Sequence, residues 1–294
     1  MIQGPYGVLM TPFKEDGKVD YTAYEKELDF VSKSDIGGFF VCGTTGEFIS
    51  LLPQENKEML KFAMDFFKGK KKLLAGVSSP NYQTTVDYMK YAVSLGYETA
   101  VICPPYYFTM GAEDVYRYYA RLADEDICDI LLYRIPIFTN TIEIPVFERL
   151  LEKKRIVAMK DSSANMKQIA HEVDIINRKR PEFVLMSGTD DCLVPALVCG
   201  CKGSMTAFSV ILPEINAKIY SLFNEGKITE ANKLNQSYLK LLRLADSTMF
   251  PSGYKYIFSR RGFNMGSCQA EDIVKLESMK ADIDNELKIL GVIQ

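Results

Sequence analysis

Short apolar runs rich in β-branched and aromatic residues recur eight times in the first 207 residues. Each run is nearly continuous in apolar side chains, which is typical of a parallel strand covered on both faces. The pattern predicts eight strands, at residues 6–11, 38–42, 72–77, 100–104, 130–135, 156–160, 183–187 and 203–207.

Amphipathic segments follow each of these runs. In residues 84–95 the apolar side chains approximate one helical stripe, and Asp87 and Lys90 fall on its outer side. The pattern predicts helices at residues 21–34, 53–68, 82–95, 112–124, 145–153, 164–177, 190–199 and 213–223.

Strand and helix therefore alternate eight times, which closes as a barrel or as a doubly wound open sheet. The even repeats, and the lack of a GxGxxG motif after the first strand, favour an α/β fold of the (β/α)8 TIM-barrel type. Beyond residue 226 the strand signals stop and about three more helices are expected. We expect residues 1–225 to form the barrel with the active site. Residues 226–294 should form a C-terminal helical extension for packing and assembly, without a catalytic role.

The composition of the chain indicates what kind of molecule it binds. The chain has 294 residues, a formal net charge of −3, and dispersed lysines and arginines. Proteins that bind nucleic acid or an anionic membrane surface usually carry a basic patch, and this sequence has none. We therefore expect the partner to be a small molecule. The sequence starts without a basic and apolar leader, and no stretch approaches the roughly 18 apolar residues of a spanning helix, so we expect a cytoplasmic protein.

The numbers and positions of cysteine and histidine limit which side chains can carry out catalysis. Seven cysteines, an odd number without a paired CxxC motif, indicate reduced thiols and no zinc site. The one histidine, His171, falls in a predicted helix, which argues against catalytic triads and histidine metal centres. We expect neither a metal nor a cofactor, so the chemistry should come from Lys, Tyr, Thr, Ser or carboxylate side chains.

Functional groups of such a barrel gather at the carboxyl ends of its strands. The turn after the second strand places Thr44 and Thr45 between Gly43 and Gly46. Glycine lets backbone N–H groups approach an anion, and the threonine hydroxyls add donors, so the turn is a candidate carboxylate cradle. An ordinary turn capped by threonine explains the pattern equally well.

Lys160 closes the sixth predicted strand. A buried amine has a lowered pKa and becomes a nucleophile toward a carbonyl carbon. Taken alone, a lysine that reaches solvent or pairs with an aspartate is the more common arrangement. Tyr133 ends the fifth strand and Tyr107 follows the fourth, so each is a candidate proton carrier, although core packing explains most single aromatic residues.

Two aspartates, Asp190 and Asp191, follow the seventh predicted strand. Their carboxylates could accept hydrogen bonds from the hydroxyls of a sugar. They could equally cap the next helix at its positive end. The sequence leaves both explanations open.

Taken together, these strand ends resemble the dihydrodipicolinate synthase and N-acetylneuraminate lyase family of class I aldolases. The resemblance covers nearly the whole chain, and each motif is weak alone but specific in this order and spacing. The motifs are TPF at 11–13, GTTGE at 43–47, PYY at 105–107, YxxP at 133–136, Lys160 with Ser162, and SGxD at 187–190.

The resemblance implies roles for these residues. Lys160 would form an imine with pyruvate, Thr44 and Thr45 would hold the pyruvate carboxylate, and Tyr133 would move the proton. A relay through Thr44 and a Tyr107 from a neighbouring subunit implies at least a dimer, and the family is typically a dimer of dimers, a homotetramer. The expected substrate contacts are Thr45, Gly46, Ser162, Gly188, Asp190, Asp191 and Met205.

Two departures bear on the substrate. Phe138 stands where the lysine-biosynthesis member has an arginine that binds a second carboxylate, which disfavours 4-hydroxy-tetrahydrodipicolinate synthase activity. Arg134, where the family often has asparagine, is a candidate substitute for that arginine. Ala207 stands where the sialic acid lyase has a sugar-binding serine, which weakens N-acetylneuraminate lyase activity.

The leading hypothesis is thus an aldolase that reversibly cleaves a 2-keto-3-deoxy sugar acid, of the 2-keto-3-deoxygluconate type, to pyruvate and an aldehyde. A non-catalytic keto-acid-binding protein on the same fold is the alternative from another class. A metal-dependent class II aldolase lacks histidine ligands. The sequence leaves open the identity and stereochemistry of the aldehyde, the direction of the reaction and its regulation.

Overall fold

The computed structural model describes residues 2–270 and 272–294 and confirms the predicted α/β barrel. Eight parallel strands close in chain order and the first pairs with the eighth, so the open-sheet alternative is wrong. The strands are β1 (Gly4–Val8), β2 (Gly38–Val41), β3 (Lys72–Gly76), β4 (Thr99–Ile102), β5 (Asp129–Arg134), β6 (Ile156–Asp161), β7 (Val184–Ser187) and β8 (Gly203–Thr206).

Helices cover the outside of the barrel. They are α1 (Tyr21–Ser32), α2 (Pro53–Phe67), α3 (Tyr82–Leu95), α4 (Ala112–Asp124), α5 (Ile144–Leu150), α6 (Met166–Lys179), α7 (Leu193–Cys199), α8 (Phe208–Ile211) and α9 (Pro213–Asn224). The side chains of Asp20 and Asn165 accept hydrogen bonds from first-turn N–H groups, which fixes where α1 and α6 begin. The segment predicted as a helix from residue 190 begins instead with a 3-10 turn, Asp190–Cys192.

Four helices lie beyond residue 226 in the part of the chain that the structure describes: α10 (Ile228–Ser237), α11 (Leu239–Asp246), α12 (Ser252–Arg260) and α13 (Ile273–Ile289). There is one more helix than expected, because the backbone leaves helical geometry at Tyr238 and separates α10 from α11. The division of the chain at residue 225 stays a prediction. No helix in the described ranges combines the length and apolarity needed to cross a bilayer.

The core has two layers, and strand alternation decides which layer each side chain enters. Along β6, Ala158 packs inside the barrel while Met159 packs between the strands and the helices. Side chains of successive strand residues point to opposite faces. Lys160 therefore points inward like Ala158, and Asp161 points outward toward the helices. The same alternation along β5 sends Tyr133 inward and Arg134 outward.

Candidate active site

Two of the predicted residues meet at the carboxyl end of the barrel. Tyr133 and Lys160 are direct neighbours in the register between β5 and β6. Nζ of Lys160 lies 4.3 Å from the centre of the Tyr133 ring and 5.3 Å from that of Phe40. Both side chains line a cavity of about 400 Å³ that opens at this mouth.

Lys160 has the environment of a nucleophilic amine. Its side chain is buried, with 3% of the residue exposed, and burial lowers its pKa to about 7 against the opposing effect of the Asp190 charge. No described residue forms an ion pair with Nζ. Asp161 pairs instead with Arg134 on the outer face, so the aspartate-paired explanation for this lysine is wrong.

Tyr133 is joined to the GTTGE turn. Its hydroxyl lies 3.1 Å from Oγ1 of Thr44, and either oxygen can donate. Burial raises the pKa of Tyr133 to about 12, while the nearby hydroxyls of Thr44 and Ser162 oppose this rise. The phenol is therefore protonated at neutral pH. It can accept a proton only if it passes its own to a neighbouring hydroxyl, and Thr44 is in place for that exchange.

The GTTGE turn has no room for larger residues. Thr45 is buried and, with Thr44, lines the cavity beside Lys160. Oγ1 of Thr11 donates to the Gly46 carbonyl at 2.6 Å, and a Cβ on Gly46 would lie 2.9 Å from the Leu9 carbonyl oxygen. The turn is thus close-packed against the segment that follows β1, and its two threonines line the cavity.

The turn is also held from the C-terminal helices. Glu47 has a left-handed backbone, with φ of 52°, and its buried carboxylate pairs with Lys255 of α12 at 2.6 Å. The backbone N–H of Gln269 donates to the same carboxylate at 3.0 Å. No local sequence pattern predicts this contact, because the partners are more than two hundred residues apart.

Gly188, at the end of β7, lets the neighbouring side chains approach. A Cβ at this position would lie 2.0 Å from Oγ of Ser162 and 2.8 Å from Cε of Lys160. Oγ of Ser162 is buried without a hydrogen-bond partner, so it is free to bind a substrate atom. Met205, on β8, is fully buried and forms part of the cavity lining.

Both aspartates after β7 line the cavity, and neither caps a helix. Asp190 is buried and accepts a hydrogen bond from the Tyr238 hydroxyl at 3.1 Å. Burial raises its pKa to about 7. Asp191 is more exposed and pairs with Arg243 at 2.8 Å. Neither carboxylate therefore accepts a capping hydrogen bond, although both residues lie in the first turn of the 3-10 helix.

The C-terminal helices supply part of the wall, which the sequence did not predict. Leu242, Asp246, Phe250 and Tyr254 all line the cavity that holds Lys160. The Tyr254 hydroxyl donates to Asp246 at 2.5 Å. The expectation that this extension serves only packing and assembly is therefore incomplete, because it also shapes the space available to a substrate.

Three predicted residues, Gly46, Tyr107 and Arg134, do not line the cavity. Tyr107 is 92% exposed, with φ of 81°, and the structure does not bring it near Lys160. Arg134 has no exposed surface and bonds to Asp161 and Glu172 behind the barrel wall. It cannot reach a substrate, so its predicted role as a substitute carboxylate-binding arginine is wrong. Phe138, in contrast, does line the cavity.

Known proteins share this arrangement of elements. The model of the dihydrodipicolinate synthetase family matches residues 1–289. An uncharacterized DapA-like lyase from Thermococcus kodakarensis is 30% identical over 264 residues, 87% of this chain and 88% of that protein. A 4-hydroxy-tetrahydrodipicolinate synthase from Methanococcus maripaludis is 28% identical over 100% of both chains. The crystal structure of dihydrodipicolinate synthase from Aquifex aeolicus superposes with a TM-score of 0.89, at 26% identity and 99% coverage of each chain.

Proposed function

Because the chain belongs to the dihydrodipicolinate synthetase family, whose members are lyases, we propose that it reversibly cleaves a 2-keto-3-deoxy sugar acid to pyruvate and an aldehyde. The proposed substrate is of the 2-keto-3-deoxygluconate type, and the reaction would proceed through an imine on Lys160. The observation that carries the proposal is the cavity lining, in which Lys160 is the only basic side chain among the described residues.

The first half of the reaction uses the neutral amine. Nζ of Lys160 attacks the C2 carbonyl, water leaves, and the protonated imine becomes an acceptor for electrons. Thr44 and Thr45 hold the C1 carboxylate through hydroxyl and backbone donors at the same mouth. This requires no cofactor, because the imine supplies the electron sink.

The second half breaks the bond between C3 and C4. The C4 hydroxyl gives its proton to the Tyr133 oxygen while Tyr133 passes its own proton to Thr44, 3.1 Å away, and Thr44 releases its hydroxyl proton to solvent. The electron pair of the broken bond moves into the imine and leaves an enamine, and C4 departs as the aldehyde. Return of the proton to C3, followed by hydrolysis, releases pyruvate and regenerates Lys160.

The outer part of the cavity supports a neutral, hydroxylated aldehyde. Three carboxylates, from Asp190, Asp191 and Asp246, line it. They can accept hydrogen bonds from hydroxyls, and beyond Lys160 the lining offers no cation from the described part of the chain to bind a second carboxylate. Phe138 and Phe250, whose rings lie 6.0 Å apart, add an apolar wall. This lining disfavours aspartate semialdehyde as the partner of pyruvate.

Purified enzyme should release pyruvate from 2-keto-3-deoxygluconate faster than from N-acetylneuraminate, and should condense pyruvate with aspartate semialdehyde slowest. Coupled lactate dehydrogenase and dihydrodipicolinate reductase assays measure these rates. Phe138→Arg is the matched variant, since it adds a cation to the wall and should raise the rate with aspartate semialdehyde. Fastest turnover of aspartate semialdehyde by the unaltered enzyme would reject the sugar-acid proposal.

The rate of imine formation should rise with pH around a midpoint near 7. Only the neutral amine attacks a carbonyl, and burial lowers the pKa of Lys160 to about 7 from an ordinary value of about 10.4. The initial rate of cyanoborohydride trapping of labelled pyruvate, measured on both sides of neutrality, tests this. Asp190→Asn should move the midpoint lower, because the Asp190 charge raises the pKa of the lysine. A midpoint near that of an ordinary lysine would contradict the expectation.

We further propose a cytoplasmic homotetramer in which Tyr107 completes the proton relay of a neighbouring subunit. The 92% exposure of Tyr107 supports this, because the side chain is free to enter another subunit. Exposed Phe108 beside it, 77% exposed, would be covered in the same contact.

A further inference from the structure

A buried cluster of charges lies behind the two strands that carry Lys160 and Tyr133. Arg134, Asp161 and Glu172 have side chains with no exposed surface. Nη2 of Arg134 donates to Oδ2 of Asp161, and Nη1 donates to Oε1 of Glu172 on α6. Nη1 also donates to the Ile142 carbonyl at 3.2 Å, before α5. One guanidinium therefore joins β5, β6, α6 and the segment before α5.

Burying these charged groups between the strands and the helices costs free energy. Burial raises the pKa of Glu172 to about 8, and Nε of Arg134 and Oε2 of Glu172 are buried without hydrogen-bond partners. Apolar residues of similar volume often stabilise such a site at least as well as ions do. A role in fixing geometry accounts for the cluster better than a role in stability.

The cluster is attached to the ends of β5 and β6, the two strands that carry Tyr133 and Lys160. Arg134 follows Tyr133 on β5, and its partner Asp161 follows Lys160 on β6. The Arg134 carbonyl accepts from the Ser162 N–H at 2.8 Å. The Asp161 side chain then accepts from the next N–H, that of residue 163, at 2.6 Å.

The end of β7 is bonded to the same cluster through Asp161. The N–H of Gly188, after β7, donates to the Asp161 carbonyl at 2.6 Å. A shift of Asp161 would therefore move both Lys160 and the glycine against which Lys160 packs.

We infer that Arg134, acting through Asp161 and Glu172, is a positioning residue that aligns the Tyr133 hydroxyl with the imine on Lys160. The inference rests on the proposed imine chemistry. Loss of the cluster should slow proton transfer much more than imine formation. Imine formation needs only a neutral Lys160, whereas proton transfer needs Tyr133, Thr44 and the imine carbon aligned, and a misplacement of about 1 Å can cost about 10²-fold in rate.

The test separates the two steps with pyruvate alone, without an aldehyde. Borohydride trapping reports the imine, and deuterium uptake by the pyruvate methyl group reports proton transfer through the enamine. Replacing the cluster by uncharged residues, Arg134→Met with Asp161→Asn and Glu172→Gln, leaves no unpaired charge. We expect trapping within about threefold of the parent enzyme and deuterium uptake slower by about 10²-fold. Arg134→Lys, which keeps the charge without the fork of donors, should show an intermediate loss.

Arg180→Met is the matched control. Arg180 is a largely buried arginine that donates to four backbone carbonyls, at residues 151, 153, 154 and 156, at the opposite end of β6. Its replacement should lower the melting temperature and leave both pyruvate steps unchanged.

Equal losses of trapping and exchange in the triple variant would overturn the inference, as would the same selective loss in Arg180→Met. If the triple variant does not fold, unchanged exchange in Arg134→Lys would overturn it instead, and a selective loss of exchange there would support it. Absence of any pyruvyl adduct on Lys160 in the parent enzyme would reject the proposed function itself, a distinct outcome.

Discussion

Lys160→Met enzyme should take up no pyruvyl group in the presence of borohydride, and its turnover should fall by at least about 10³-fold. Methionine has a similar length and fills the same space inside the barrel, but it offers no nitrogen to attack the carbonyl. Intact and peptide-level mass spectrometry of the parent enzyme and the variant, each incubated with pyruvate and borohydride, measures the adduct directly.

The variant should fold at least as well as the parent. The unfolded chain keeps its proton on this amine up to the ordinary lysine pKa of about 10.4, whereas the folded chain releases it above about 7. The buried amine therefore lowers stability most fully below pH 7. This cost shrinks as the pH rises toward the unfolded-state pKa, and methionine removes it. Thermal unfolding at neutral pH checks this, so lost activity cannot be attributed to unfolding.

Lys255 provides an internal control in the same experiment. It is as buried as Lys160, but its Nζ pairs with Glu47 at 2.6 Å. The parent enzyme should carry the adduct on Lys160 and none on Lys255. An adduct that persists in Lys160→Met, or that maps to Lys255, would show that the wrong lysine has been assigned.

Tyr133→Phe should form the imine normally but exchange the pyruvate methyl protons about 10²–10⁴-fold more slowly, which is the usual contribution of a positioned acid–base group. The substitution removes only the hydroxyl that lies 3.1 Å from Thr44 and keeps the ring beside Lys160. Deuterium uptake into pyruvate, followed by proton NMR and compared with borohydride trapping, separates the two effects.

Tyr6→Phe is the control for this variant. Tyr6 is also buried inside the barrel, and burial raises its pKa to about 12, as for Tyr133. Its side chain lines a separate cavity at the amino ends of the strands and does not line the cavity of Lys160. Its replacement should leave exchange unchanged. Fast exchange in Tyr133→Phe would assign the proton to another group, with Asp190 the next candidate in the cavity.

Much of this arrangement follows from periodicity alone. Continuous apolar runs separated by amphipathic segments predicted the barrel, and position at a strand end predicted that Lys160 and Tyr133 share a mouth. The same reasoning also excludes Arg134 from the site. Successive strand residues face opposite ways, so if Tyr133 enters the barrel, Arg134 must leave it.

The remaining features depend on tertiary packing and carry no local signal. Asp246 and Phe250 enter the cavity because α11 and α12 fold back over the mouth of the barrel. α11 begins directly after the helix break at Tyr238, whose hydroxyl donates to Asp190. Hydrophobic periodicity identifies helices in this region but not the point at which one turns toward β7.

The contact between Glu47 and residues 255 and 269 has a consequence for how the enzyme matures on the ribosome. All eight strands have been synthesised by residue 206, yet the turn that would hold pyruvate receives its anchors about fifty residues later. A nascent chain can therefore contain all eight barrel strands before it contains the residues that hold Glu47 in the GTTGE turn. Early termination before Lys255, near the start of α12, would leave a protein with all eight barrel strands but without either contact to Glu47.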